Sequence, residues 1–420
     1  MKEDIMNDAK AGESITECCE GNLSRRRFIQ GSVILATSSL IFPGLAMAKA
    51  RTDKRLVVVI LRGGMDGLAA VVPFGDKSYA ALRGDLALSP DSVRRLSEMF
   101  GLHPVFENMH DMYQKGELSV VHATATPYRQ RSHFDAQNVL ELGSKAPNDF
   151  KDGWMNRLVR AIDNCDNKLA LAIGQTKPLI LRGDSPSGSW APSALPDTGD
   201  DFMELVARVY ENDPAMKRNF NDALMIQNQT SHMMEGENDK KLARQSRSGQ
   251  GFVTMAGIAG KWLSEPDGPR LATLELGGWD THAQQGTEGG RLANNLSLLD
   301  KGMGALKKSM GAAWDKTVVI AMTEFGRTAK PNGDKGTDHG TAGAVFLAGG
   351  MVKGGRVICE WPGLREGDLY QGRDLNPTID LRSITKGVLN DLYGLSPSTL
   401  NSDIYPGSET ARSMTGLLRV

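Results

Sequence analysis

The sequence predicts an α/β fold, a three-layer α/β/α sandwich around a mainly parallel sheet, and three observations predict it. Short, continuously apolar runs recur along the chain, helical patterns lie between them, and several of the runs stop in acid, histidine or hydroxyl groups. A run that is apolar at every position suits a strand covered on both faces, whereas a strand with one wet face alternates. Strands separated by helices pair in parallel through right-handed crossovers, which leaves helices on both sides of the sheet.

The runs lie at residues 56–61, 118–121, 271–276, 317–322 and 344–348 and are rich in Val, Ile and Leu. The clearest helical pattern is Leu292, Leu296, Leu299, Met303, Leu306 and Met310, whose steps of four and three place one apolar stripe on a helix. Between about 185 and 268 the texture changes to a Ser/Pro/Gly-rich loop, helical stretches and a very polar segment. This region reads as a helical insertion into the α/β domain, not as a domain of its own.

Residues 1–50 read as a targeting segment and 51–420 as the working domain. Ser24-Arg25-Arg26-Arg27-Phe28-Ile29 leads into an uncharged apolar stretch at 31–46 that closes on Ala46-Met47-Ala48. A basic region, a short apolar core and a small-residue cleavage site in that order form a signal peptide, and the core is too short to span a bilayer. The paired arginines before Phe-Ile resemble the twin-arginine signal, with Gln30 in place of its usual lysine. That resemblance implies export of a folded chain by the twin-arginine translocase to the periplasm or the exterior. Cys18 and Cys19 would leave with the signal; Cys165 and Cys359 remain, paired or not. With 49 basic and 50 acidic residues the chain has no basic footprint, which argues against a nucleic-acid partner.

In an open α/β sheet, ligands gather at the carboxyl ends of the strands. The first run is followed by Arg62-Gly63-Gly64-Met65-Asp66-Gly67, the third by Gly277-Gly278-Trp279-Asp280-Thr281-His282, and the fourth by Thr323-Glu324-Phe325-Gly326-Arg327. The second reaches His122 and Thr124, then a loop ending in Arg131-Ser132-His133-Phe134-Asp135. Asp280 and His282, two apart, leave an extended backbone on the same face and can grip one cation, and Asp338-His339 offers a further imidazole. Carboxylate with imidazole favours zinc or manganese over calcium. Ser132 and Asp135 have capping-box spacing, and a hydroxyl at a helix N-terminus beside Arg131 also suits anion binding or alkoxide formation.

Taken together these motifs resemble the domain of unknown function 1501 family over nearly the whole of 51–420, and more remotely the alkaline phosphatase superfamily with its sulfatases. The remoter resemblance implies an alkaline phosphatase-like sandwich with two metal sites and a nucleophile between them. Laid on this chain, Asp66 and Glu324 match ligands of one metal, and Asp280, His282 and His339 those of the other. Ser132 falls near the nucleophile, with Thr124 and Thr126 as alternatives. Phe325 stands where the superfamily has a histidine ligand, so the pattern implies one firm cation and a weakened second site. The function implied is a metal-dependent hydrolase of phosphate or sulfate esters, acting on a small or envelope-borne anionic ester, with Arg131 or Arg327 offsetting substrate charge. A non-catalytic binding protein on the same fold and a headgroup transferase are the alternatives.

Overall fold

The computed structural model describes residues 52–162, 170–193, 199–233, 239–246 and 249–419. The signal segment and Cys165 lie outside the described residues, and with Cys165 the question of its pairing with Cys359.

Every apolar run forms a strand because β-branched and aliphatic side chains that leave on both faces can be covered on both faces. The main sheet contains β1 (Arg55–Leu61), β2 (Leu118–Ala125), β3 (Ala170–Ile173), β4 (Gly188–Trp190), β5 (Leu271–Leu276), β6 (Thr317–Thr323), β7 (Gly343–Ala348), β8 (Arg356–Ile358) and β9 (Ile379–Asp380). Their order is β8-β2-β7-β6-β1-β5-β3-β4, with β9 also on β2. Only β7 runs against its neighbours; the other pairings are parallel.

Helices cover both faces. On one side Val57, Val59, Leu61, Leu274 and Ala321 pack with α2 (Glu107–Gln114), α8 (Gly251–Ser264) and α9 (Arg291–Met310). On the other, Leu56, Val58, Ile60 and Ile320 pack with α4 (Trp154–Ile162) and α10 (Leu381–Tyr393), and Leu140 of α3 (His133–Leu142) joins them. This is the α/β/α sandwich predicted from the runs. The stripe from Leu292 to Met310 is buried at all six positions. Each such side chain contributes roughly 1.5–3 kcal/mol, against propensity differences of about 1 kcal/mol or less per residue, so packing fixes α9 despite its glycines and asparagines.

Two parts of the segment 185–268, read as a helical insertion, belong to the sandwich: β4 extends the sheet, and α8 buries Ala259, Trp262 and Leu263 in its core. Between them lie α5 (Asp200–Val209), α6 (Pro214–Met233) and α7 (Asp239–Ser246), and α5 leaves Phe202, Leu205 and Val209 exposed. No helix among the described residues is long and apolar enough to cross a membrane.

Register decides where the loops emerge. Leu61 lies level with Leu276 on one side and Thr323 on the other, so the chain leaves β1, β5 and β6 at one edge of the sheet. Because β7 is antiparallel, its beginning and not its end lies there, with Gly343 opposite Thr124 near the end of β2. A bulge at this point puts Ala123 at φ 56°.

Beside the bulge His122 is wholly buried; its Nε2 donates to the Val71 carbonyl at 3.0 Å and its Nδ1 accepts from the Ala123 amide at 2.7 Å. A second ring proton would meet that amide head-on, and burial pulls the imidazole down from 6.5 to about 4. Between these values the unfolded chain binds the proton and the folded chain does not, so stability falls as pH drops from 6.5 to 4, by roughly 3 kcal/mol for this group. Urea unfolding at both pH values should find that loss reduced by a similar amount in His122→Asn, whatever the variant's absolute stability.

Candidate metal centre at the carboxyl edge of the sheet

Gly63 and Gly64 leave β1 at φ 123° and 72°, conformations other residues rarely adopt. A Cβ on Gly63 would come within 2.7 Å of the Asp280 amide, and one on Gly64 within 2.7 Å of the Phe325 ring. The two glycines let the loops after β1, β5 and β6 close on one another, and this closure brings Asp280 beside Arg327.

Asp280 is the hub. Its Oδ1 accepts from Arg327 Nη1 at 2.7 Å and lies 2.9 Å from His282 Nε2 and 3.2 Å from His339 Nε2. Its Oδ2 lies 3.5 Å from His133 Nε2. The two imidazoles of His282 and His339 face each other through Nε2 at 3.0 Å. Ligand atoms of His133, Asp280 and His339 all fall within 4.8 Å of one another.

The far side of each ring fixes its tautomer. His339 Nδ1 is 2.9 Å from the Arg131 carbonyl, which only accepts, so Nδ1 carries the hydrogen. His282 Nδ1 is 2.9 Å from Asp338 Oδ1 and His133 Nδ1 is 2.9 Å from Glu324 Oε1, with the same consequence. In its neutral form each ring turns an Nε2 lone pair toward the Asp280 carboxylate. Three lone pairs and an anion so placed repel unless a cation or a proton lies among them. His133 Nε2 is buried and has no hydrogen-bond partner. Imidazoles whose outer nitrogen is anchored on carboxylate or carbonyl are the usual form of metal-binding histidine, and a His/Asp donor set fits a divalent cation.

Burial alone would raise the Asp280 carboxyl, but the hydrogen bond and charge of Arg327, with His282 and His133, hold it below the ordinary range. Burial likewise works against ionisation of Glu324, and hydrogen bonds from His133, Gln137 and the Gly63 amide outweigh it. The Glu324 hydrogen bond raises His133 and favours its protonated form, whereas burial, then the neighbouring His133, lowers His339 and favours its neutral form.

The other residues singled out in the sequence divide sharply. Asp66, offered as a ligand, is instead buried at the start of the short helix α1 (Gly67–Ala70); Oδ1 caps the Leu68 and Ala69 amides, and Oδ2 takes Arg83 at 2.5 Å and Gln285 at 2.7 Å. Drawing it from Arg83 would strand a buried charge at a cost of about 3–5 kcal/mol. Glu324 faces His133 as an anchor, fixed also by Gly63 N at 2.8 Å and Gln137 at 3.0 Å. Phe325 packs its ring 4.8 Å from His133 and 5.0 Å from His339 and walls the cluster. Arg131 is spent on buried Asp374, at 2.9 and 2.7 Å, and Arg327 on Asp280, Thr337 and the Gly63 carbonyl. Ser132 occupies the N-cap of α3 without a side-chain capping bond, and the Asp135 carboxylate accepts from the Tyr128 hydroxyl instead of reaching back to the cap. Thr124 and Thr126 are buried. Sequence reasoning passed over His133, although it stands inside the Arg-Ser-His-Phe-Asp motif, and the anchors Asp338 and Gln137.

The family model described as protein of unknown function (DUF1501) matches residues 53–402. The chain belongs to this family. A search of curated proteins finds no match. Among solved structures, the chain is similar to the C-terminal periplasmic domain of EcEptC from Escherichia coli in complex with Zn, at 11% identity and TM-score 0.39 over 88% of this chain and 93% of that one. It is similar to BT1596, a 2-O GAG sulfatase, at 12% and 0.38 over 86% and 73%. It is also similar to the phosphonate monoester hydrolase of Agrobacterium radiobacter, at 13% and 0.30 over 82% and 74%. At these scores the likenesses contribute nothing to the reading of the site.

Replacing Glu324 with Gln keeps the shape of the anchor and removes its charge. Zinc affinity, measured by competition with a chelator, should fall roughly 10–100-fold, and an unchanged affinity would show that His133 does not ligate.

Proposed function

We propose that this chain is an exported, metal-dependent hydrolase of phosphate or sulfate esters, with zinc or manganese held by Asp280, His282, His339 and His133. The observation that carries the reading is the openness of the cluster: the Asp280 and His282 side chains are 43% and 44% exposed, while the anchor Glu324 is fully buried. Structural metal sites are closed by protein ligands, and catalytic ones keep a position for water or substrate. A cation bound there would polarise an ester oxygen and make a bound water more acidic. Arg327 keeps Asp280 ionised for that purpose. Arg373, half exposed and donating to the His339 carbonyl, brings positive charge to the rim where an anionic ester would arrive. Ser132, next to His133 in the chain, is the hydroxyl we assign as nucleophile. Export rests on the twin-arginine-like segment around Arg25 and Arg26.

A second reading, a binding protein with one cation and no chemistry, draws on the engagement of Asp66 and Glu324 elsewhere and on Phe325 in place of a ligand. Metal analysis of purified protein followed by a panel of phosphate and sulfate esters separates the two. Hydrolysis should be lost with the metal in Asp280→Asn, and lost with the metal retained in Ser132→Ala. A metal-loaded wild type inert toward the whole panel would remove the hydrolase and leave the binding protein; full activity in Ser132→Ala would transfer attack to metal-bound water.

A further inference from the structure

Two loops that carry the cluster's ligands meet at a side chain that touches no ligand itself. Gln285 is completely buried. Its Oε1 accepts from the Thr281 hydroxyl at 2.8 Å and from the Thr337 hydroxyl at 2.7 Å. Thr281 sits between Asp280 and His282; Thr337 is two residues before His339 and also accepts from Arg327 Nε at 3.2 Å. The same two loops are joined through their backbones by the Thr337 amide on the Thr281 carbonyl, at 3.1 Å. Gln285 Nε2 donates to Asp66 Oδ2 at 2.7 Å, and Asp66 is itself held by Arg83. A carboxylate only accepts, so Asp66 admits one orientation of the amide, with its oxygen turned to the two hydroxyls.

We infer that Gln285 is a positioning residue for the metal centre, and that Asp66 acts on the cation at a distance, by setting the Gln285 amide. One amide oxygen shared by two hydroxyls fixes the separation of the Asp280–His282 loop from the loop bearing His339. Through Thr337 it also fixes Arg327, whose guanidinium orients the Asp280 carboxylate. Gln285, Asp66, Thr281, Thr337 and Arg327 are all buried, so water cannot take the place of a missing partner cheaply. This inference rests on the metal reading above.

The test uses the mature chain and cobalt as the probe, with affinity measured by chelator competition and geometry by the visible absorption of the bound ion. Gln285→Met keeps the length and removes every hydrogen bond; Thr337→Val removes only one hydroxyl and is the milder variant should the first fail to fold. Asp300→Asn is the control. Asp300 is also buried and holds Asn108 and Met109 amides between 2.8 and 3.1 Å, away from the cluster. Both Gln285→Met and Thr337→Val should weaken cobalt binding by roughly 10-fold or more and alter its spectrum, while Asp300→Asn lowers thermal stability and leaves both unchanged. Wild-type affinity and spectrum in a folded Thr337→Val or Gln285→Met protein, whatever the melting temperature, would overturn the inference and leave the metal centre standing. A wild type that binds no cobalt would overturn the metal centre and the inference with it.

Discussion

Three imidazoles that, when neutral, converge their lone pairs on one carboxylate form an arrangement that is unfavourable on its own terms. It persists because every ring is held from behind: His133 by Glu324, His282 by Asp338, His339 by the Arg131 carbonyl. The convergence therefore belongs to the fold and does not wait for a ligand to organise it. Arg327 supplies the compensating charge that keeps Asp280 an anion among these rings.

That arrangement has a cost distributed over the surrounding shell. Arg327 and Glu324 are buried ions, and burial of single charges is tolerated only when each finds opposite charge and hydrogen bonds enough to replace water. Arg327 meets that condition through Asp280, Thr337 and Gly63, and Glu324 through His133, Gln137 and the Gly63 amide. Gly63 thus serves both ions from its two backbone groups. The histidine–carboxylate cluster and the loop closure at the sheet edge are one structure, and neither is complete without the turn after β1.

Much of the fold was legible in the sequence because burial on both faces leaves a direct mark, an apolar run without alternation, and because the α9 stripe follows from helix geometry alone. β4 was not legible: Gly188–Trp190 is three residues long and lies in Ser/Pro/Gly-rich chain. At the site, the motifs at the strand ends contained nearly every group that matters, but roles did not follow from types. Asp66 and Glu324 look like ligands locally; their partners, Arg83 and His133, depend on tertiary contacts. His133 was obscured by Ser132 and Asp135, whose capping-box spacing offered a sufficient local explanation for the motif. The structure then gave Asp135 to Tyr128.

The reversed direction of β7 bears on how the chain reaches this state. β7 lies inside the sheet, between β2 and β6, yet it is made after both. Until residues 343–348 emerge, β2 and β6 each keep an unsatisfied row of backbone amides and carbonyls, the kind of open edge that recruits strands from other chains. Insertion of this one late strand closes both edges at once and carries His339 into place. A nascent chain that stops short of it would expose both rows and leave His339, just upstream, on a free end, so the gap between β2 and β6 closes in the same step that anchors the last imidazole, before β8 and β9 cover the other edge of β2.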